Sequence, residues 1–186
     1  MNHLLNATDF LVQTILNFAL YAVLLRFWMQ WVRADFRNQI GQFIITVTNP
    51  VVLPLRKIIP SLGTVDTATL FLAYVVASLK IYSLLSLRGI DINLISLALF
   101  GLGQLLQASV YIFFAAVFIQ IIASWFSPGS YHPVLNVARA ISEPLMAPAR
   151  KFIPPISGLD FSPIAVIIFL QLTLRLLVAP LMPYGF

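Results

Sequence analysis

The sequence predicts an all-α membrane protein with four transmembrane helices in two parallel repeats, each carrying short amphipathic helices at the cytoplasmic membrane surface. Hydrophobic residues make up 60% of the chain and charged residues only 9%, whereas a soluble domain usually carries about 25% charge. Four apolar runs are long enough to cross a hydrocarbon core of about 30 Å. A proline-framed basic segment occurs twice, which indicates an internal duplication.

The composition also limits the chemistry that we expect. The chain has no cysteine, which excludes disulfides, thiolate metal sites and cysteine nucleophiles. Its two histidines, His3 and His132, belong to no metal-ligand spacing, so we expect no metal and no cofactor. The net charge is +5, but the basic residues lie in short segments between apolar runs. That placement is typical of loops facing anionic lipid rather than of direct nucleic-acid contact.

The first two spans are each bounded by polar or aromatic residues. The first runs from about residue 8 to 32 and ends at Trp28, Trp31 and Arg33, which is typical of an aromatic belt followed by cytoplasmic charge. The second runs from 67 to 87 and is about 31 Å long as a helix. Arg88 follows it.

The third apolar run, from 92 to 126, is longer than one span needs. Because Gly101 and Gly103 divide it, we place the third span at about 104–126. Residues 92–102 then form an interfacial or re-entrant piece, or an over-long tilted start to the same helix. The fourth span runs from about 162 to 182, with Pro163 in its first turn.

Two short surface helices are predicted between the first and second spans. Ile40, Phe43, Ile44 and Val47 have the i, i+3, i+4, i+7 spacing of an apolar helix face. The helix is too short to span, so we expect it to lie in the membrane interface. A second short helix should begin at Pro50 and end before Pro60. The same order of elements recurs between the third and fourth spans.

The duplication divides the chain into a first repeat, 1–90, and a second repeat, 91–186. Uncommon residues recur at a single offset of 94, as the numbers of Pro50 and Pro144 show. The aspartates of the repeat are expected to cap the helices that follow them, and only secondarily to pair with arginine. The repeated framework consists of Trp31 and Trp125, Pro50 and Pro144, Pro54 and Pro148, Pro60 and Pro154, and Asp66 and Asp160.

The basic residues predict the orientation. The two loops inside the repeats carry nearly all the loop cations, while the middle loop carries Arg88 and the termini carry none. Both repeat loops should therefore be cytoplasmic and both termini periplasmic. Both repeats then enter the membrane from the same side, and an axis along the membrane normal relates one repeat to the other. The loop cations are Arg33, Arg37, Arg56 and Lys57 in the first repeat, and Arg139, Arg150 and Lys151 in the second.

Two sets of cations are candidate functional residues. The paired segments Arg56–Lys57 and Arg150–Lys151 could bind anionic lipid headgroups or a cytoplasmic partner, or could simply fix the topology. Lys80 and Arg175 lie within the second and fourth spans. A charge inside a span costs at least about 2.5–3.5 kcal/mol and suggests a functional role. They could line a wet cavity, or their side chains could reach back to the outer interface.

The doubled pattern resembles the bacterial YggT (YGGT-repeat) family. The residues that carry the resemblance are the run 26–31 ending in Trp31, the basic segments 49–60 and 143–154, Asp66, and the run 158–163. The resemblance implies a multi-pass protein of the bacterial inner membrane, associated with osmotic-shock tolerance and ion uptake. Plastid and cyanobacterial relatives are associated with nucleoid distribution, division and assembly of a membrane cytochrome complex. It implies no catalytic residue.

From these observations we expect a non-enzymatic accessory, scaffold or assembly factor in envelope or osmotic-stress homeostasis. Its partners would be membrane lipids and a membrane protein or a second copy of the chain. Ala73 and Ala77 offer a small-residue face for helix packing within or between chains. The alternative is a subunit of an ion or solute transporter or channel, with Lys80 and Arg175 lining a cavity.

Overall fold

The computed structural model describes residues 2–126, 132–153 and 160–182. These residues contain six α-helices and no β-strand. A π-helical turn, Leu174–Val178, and a 3-10 turn, Ala179–Leu181, continue the last helix. The helices are α1 (Asn2–Trp31), α2 (Gln39–Ile58), α3 (Thr67–Leu87), α4 (Leu94–Phe126), α5 (Pro133–Phe152) and α6 (Ser162–Thr173).

Four of these helical stretches are long and apolar enough to cross a membrane. They are Asn6–Trp31, Thr67–Leu87, Leu94–Ser124 and Ser162–Leu181. The predicted fold class, with four candidate spans, is therefore confirmed. The first candidate span, Asn6–Trp31, lies within two residues of the predicted 8–32, and α1 itself begins earlier, at Asn2.

The surface segment of each repeat is one helix, so the prediction of two short helices was wrong. Pro50 and Pro54 lie inside α2, and Pro144 and Pro148 lie inside α5. All four proline side chains are exposed. The carbonyls left without a helical partner therefore fall on the exposed side, where water can bind them. The opposite face packs against the spans and keeps the helix continuous.

The third span is one helix from Leu94 to Phe126, so its predicted start at residue 104 was too late. Of the alternatives for 92–102, the over-long start to the same helix is the one observed. Gly101 and Gly103 do not interrupt the helix. Instead, a side chain at Gly101 would collide with Ser78 of α3, and one at Gly103 would collide with Met182. These glycines allow neighbouring elements to approach closely.

Both surface helices lie at the same end of the bundle, because α2 contacts α5. Each packs against the two spans of its own repeat, and α5 also contacts α1. The two repeats therefore run in parallel, as predicted. The main core lies between α1, α3, α4, α5 and α6, and it includes the fully buried side chains of Leu20, Leu24, Met29 and Val117.

The repeats are packed unequally. In the described residues α3 packs against α4, whereas the corresponding helices α6 and α1 make no contact. Ala73 and Ala77 are fully buried in the core, so this small-residue face serves packing within the chain. At an offset of 94 their counterparts in α6 are Ile167 and Gln171, which are too large for the same close approach.

Candidate membrane-surface site

Arg56, near the end of α2, joins three helices. Its guanidinium forms an ion pair with Asp66, to which Nε donates at 3.2 Å. Nη2 also donates to Gln30 Oε1 of α1 at 2.9 Å. Because Asp66 precedes α3, this contact fixes α2 to both spans of the first repeat.

Asp66 also caps α3, as predicted. Its Oδ1 accepts from the Thr69 N–H at 3.4 Å, and its Oδ2 accepts from the Thr69 hydroxyl. Burial raises the pKa of Asp66, but the hydrogen bonds from Arg56 and Thr69 outweigh burial and hold the pKa below its usual value. The carboxylate is therefore charged at neutral pH, and the cap and the ion pair act together.

Arg26 makes a second connection between α1 and α2. Only 5% of Arg26 is exposed, and its Nη1 donates to Thr48 Oγ1 at 2.7 Å and to Asn49 Oδ1 at 2.8 Å. Sequence reasoning did not assign this contact. The signal that could have found it is the position of Arg26, 22 residues before Thr48 and on the same side of the membrane.

The contacts of Arg26, Arg56 and Asp66 form a joint between the surface helix and the spans of the first repeat. The second repeat has a corresponding joint made of different residues. Gln120, at the position of Arg26, donates to Ser142, at the position of Thr48. Glu143, at the position of Asn49, accepts from Arg150 Nη1 at 3.1 and 3.2 Å. Glu143 therefore pairs with Arg150 of its own surface helix, whereas its counterpart Asn49 accepts from Arg26 of the first span.

Asp160 was predicted to be the N-cap residue of α6, but it lies one residue before the N-cap, so this prediction was wrong. Phe161 is the N-cap residue of α6 and makes no side-chain cap. Asp160 Oδ1 accepts from the Ser162 N–H at 2.9 Å, and Oδ2 accepts from Arg150 Nε at 3.2 Å. Burial raises the pKa of Asp160, but the hydrogen bonds from Ser162 and Arg150 outweigh burial and hold the pKa below its usual value. Burial lowers the pKa of Arg150, yet Asp160 and Glu143 raise it overall.

The two joints carry opposite formal charge. In the first, Arg26 and Arg56 face Asp66, which gives 2 − 1 = +1. In the second, Arg150 faces Glu143 and Asp160, which gives 1 − 2 = −1. Asp66 is also far more deeply buried than Asp160, since the side chain of Asp66 is 1% exposed and that of Asp160 is 40% exposed.

Each predicted Arg–Lys pair is thus divided between two roles. The arginines are held inside the joints, while Lys57 and Lys151 are exposed. The exposed cations of the two loops make no ion pair with any residue that the structure describes. These cations are Arg33, Arg37, Lys57, Arg139 and Lys151.

An apolar stripe is exposed on α2 beside these cations. Phe43, Val47, Val51 and Ile58 are all exposed, although a soluble protein would seldom leave such a stripe on one helix. The predicted apolar face of this helix is split, because Ile44 is buried against the spans. An exposed apolar stripe with basic residues beside it is typical of a helix lying in the membrane interface.

The remaining framework residues are placed as follows. Pro60 is exposed after the end of α2. Trp31 is exposed, and its ring packs edge-on against Trp28 at 5.4 Å between centroids. Trp28 packs in turn against Phe113 of α4 at 4.7 Å, which links the two repeats. Pro154 and the side chain of Trp125 lie outside the described residues.

Lys80 and Arg175 differ in exposure. Lys80 is half-buried in α3, where its carbonyl accepts from Gln13 Nε2 at 3.4 Å and Ser83 Oγ accepts from the same amide at 3.2 Å. Arg175 is exposed in the π-helical turn, whose Val178 belongs to the same apolar cluster as Ile81 and Leu85 of α3. A shared cavity lined by both residues stays a prediction.

No group of His, Cys, Asp or Glu within the described residues could hold a metal ion. The surface site offers fixed ion pairs, exposed ammonium and guanidinium groups, and an exposed apolar helix face.

Comparison with known proteins identifies the repeat. The chain matches the CCB3/YggT family twice, over residues 5–87 and 99–181. The starts of the two matches differ by 99 − 5 = 94 residues, which is the offset of the framework prolines.

Similar whole-length relatives occur in several bacteria. A protein of Vibrio alginolyticus described as uncharacterized is 39% identical, over 90% of this chain and 91% of the relative. An uncharacterized protein of Pseudomonas aeruginosa is 38% identical, over 89% and 85%. The uncharacterized protein YggT of Escherichia coli K12 is 34% identical, over 89% and 86%. No solved structure matches the chain.

Proposed function

The chain belongs to the CCB3/YggT family, and we propose that it is a non-enzymatic protein of the bacterial inner membrane that serves as a scaffold or assembly factor. The observation that carries the proposal is the division of charge on the surface helices. Arg56 and Arg150 hold each helix against its spans, while Lys57 and Lys151 are exposed. In such an arrangement the arginines hold the surface helices in place, and the lysines keep their charge available for an external partner.

Anionic lipid headgroups are the proposed first partner of this surface. A cation close to an anionic leaflet contributes about 1 kcal/mol, and the described loops expose five cations without an ion pair. The exposed stripe of Phe43, Val47 and Ile58 would enter the interface beside them. With both repeat loops on the cytoplasmic side, this surface would face the anionic cytoplasmic leaflet.

A second membrane protein, or a second copy of the chain, is the proposed protein partner of the scaffold. The exposed prolines at positions 50, 54, 144 and 148 leave both surface helices with carbonyls that have no helical partner. Rigidly positioned acceptors and apolar side chains suit docking of another helix. We place this role in envelope or osmotic-stress homeostasis, in keeping with the settings associated with the family.

The lipid role is tested by measuring the lipid that co-purifies with the chain. We expect the variant Lys57→Gln/Arg139→Gln/Lys151→Gln to retain phosphatidylglycerol at least about tenfold more weakly than the unchanged chain in native mass spectrometry, because three interactions of about 1 kcal/mol are removed. Arg175→Gln, an exposed cation in a span, is the matched control. Equal retention by the triple variant and the control would remove the basis of the lipid role.

The scaffold role needs a test in the cell. Photo-crosslinking from exposed positions of α2, such as Pro54, should capture one defined membrane protein or a second copy of the chain. A strain lacking the gene should also recover poorly from hyperosmotic shock. Normal recovery together with no defined crosslink would contradict the proposal.

A further inference from the structure

A cavity lies between the two repeats beneath the surface helices. Its volume is about 220 Å³, and α1, α2, α4 and α5 all contribute to its walls. Tyr21 and Leu25 come from α1, and Ile112, Ala115 and Ile119 come from α4. Apart from the hydroxyl of Tyr21, the lining side chains are hydrocarbon.

The cavity begins at the depth of the charged joints and extends into the spans. Leu25 directly precedes Arg26, and Ile119 directly precedes Gln120, so these lining residues lie next to the polar contacts of the surface helices. Along α4 the lining extends from Ile112 to Ile119, which corresponds to about 10 Å of helix. The cavity therefore extends along α4, in the direction in which lipid chains run, and it also lies along α5 from Val134 to Ile141.

One lining side chain shows that the cavity is accessible from outside the protein. Ala115 lines the cavity and is also exposed, so its methyl group faces both the cavity and the space around the bundle. Water is a poor occupant, because a cavity needs two to four polar partners for each water and engineered apolar cavities of about 150 Å³ stay dry. In a bilayer, the apolar ligand at this depth is hydrocarbon.

We propose that this cavity holds one acyl chain of an anionic membrane phospholipid. The charge of the surrounding surface selects this occupant. Arg37 lies three residues before the lining residue Ile40, and Arg139 directly follows the lining residue Ala138. Both arginines are exposed and make no ion pair with a described residue. Asp35 accepts from the backbone N–H of Arg37 at 2.8 Å and leaves its guanidinium available.

The headgroup preference rests on the proposed function, whereas the acyl-chain site rests on the cavity alone. A lipid bound in this way would wedge between the repeats and contact all four helices. The lipid would then be part of the structure that positions α2 against α5, and not only part of the surrounding bilayer.

The probe is phosphatidylglycerol with a photoactivatable diazirine in one acyl chain, reconstituted with the purified full chain. We expect the crosslinks to concentrate in peptides that contain Tyr21 and Leu25 or Ala115 and Ile119. Ala115→Phe fills the cavity from an exposed position and should lower this labelling at least about tenfold, relative to the unchanged chain. Ala98→Phe, at an exposed alanine of α4 outside the cavity lining, should leave the labelling unchanged.

Two outcomes overturn different parts of the proposal. Equal labelling in Ala115→Phe and Ala98→Phe, with crosslinks spread over all exposed helix faces, overturns the acyl-chain site. A phosphatidylcholine probe with the same diazirine chain tests the headgroup. If both probes label the cavity equally, the anionic preference is overturned while the acyl-chain site stands.

Discussion

Arg56 and Asp66 form an ion pair that joins the end of surface helix α2 to the first turn of α3. The carboxylate is almost completely buried and also caps α3 through Thr69. One aspartate therefore determines where α3 begins and how α2 sits on the bundle. Its counterpart, Asp160, makes the same type of contact in a much more exposed position.

Replacing these two aspartates should have unequal effects. We expect Asp66→Asn to lower the free energy of unfolding by about 3 kcal/mol, since it leaves Arg56 without its partner in a mostly buried site. Asp160→Asn should cost less than about 1 kcal/mol, because exposed ion pairs contribute little. Thermal unfolding in detergent, followed by circular dichroism, measures both. Equal losses would contradict the assigned difference in burial.

The same pair predicts the direction of the pH dependence. The pKa of Asp66 is lower in the folded chain than in the unfolded chain, so its contribution is complete above the unfolded value of about 3.9. Stability should fall as the pH drops below about 4, and the contribution is lost once the pH passes the folded pKa. The Asp66→Asn variant should lose less stability over this range. Parallel pH curves for the two proteins would contradict the assignment.

Arg26 should tolerate glutamine better than alanine. Gln120 already donates to Ser142 at the equivalent position, so Arg26→Gln can keep the bond to Thr48 and should cost about 1 kcal/mol. Arg26→Ala removes the donor to Thr48 Oγ1 and Asn49 Oδ1, leaves the Thr48 hydroxyl only its bond to the Ile44 carbonyl, and should cost about 2–3 kcal/mol. Chemical denaturation in mixed micelles can separate these values. Similar losses for both variants would show that the guanidinium charge, not the hydrogen bond, is what matters.

The close approach of α3 and α4 predicts a compensating pair of substitutions. A side chain at Gly101 would collide with the hydroxyl of Ser78 and lie only 3.1 Å from its Cβ. Gly101→Ala should therefore destabilise the bundle by about 1–3 kcal/mol, as overpacking does. Adding Ser78→Ala should recover part of that loss, which a double-mutant cycle of unfolding free energies would detect. Strict additivity would show that the two residues do not meet.

The orientation can be tested with single cysteines, because the chain has none. Thr64→Cys lies between α2 and α3, and Asp91→Cys lies between α3 and α4; both positions are exposed. A membrane-impermeant maleimide should label Asp91→Cys in intact spheroplasts. It should label Thr64→Cys only after the inner membrane is permeabilised. The reverse pattern would place the basic surface on the periplasmic side.

The transport alternative predicts a different behaviour of Lys80 and Arg175. If the chain is a scaffold, purified protein in proteoliposomes should conduct no ions above the level of empty vesicles. Lys80→Leu and Arg175→Leu should then support normal recovery from osmotic shock. Specific ion flux that Lys80→Leu abolishes would favour the transporter instead.

Much of the fold could be predicted from the sequence because its determinants are local. Hydropathy over about 20 residues predicted four spans, and the recurrence of proline, Arg–Lys and aspartate predicted the duplication. The cap formed by Asp66 was also predictable, since it depends on a side chain and a backbone N–H three residues apart.

The sequence by itself therefore determined that this chain is a four-span, duplicated membrane protein of the CCB3/YggT family. Tertiary structure decided which cations remain available: Arg56 finds Asp66 and Gln30 across three helices, whereas the adjacent Lys57 stays exposed. It also decided that Pro50 and Pro54 continue a helix and that Gly101 does not end one. The physical reason is that each outcome depends on the distance and chemistry of a neighbouring helix, which no local pattern of residues contains.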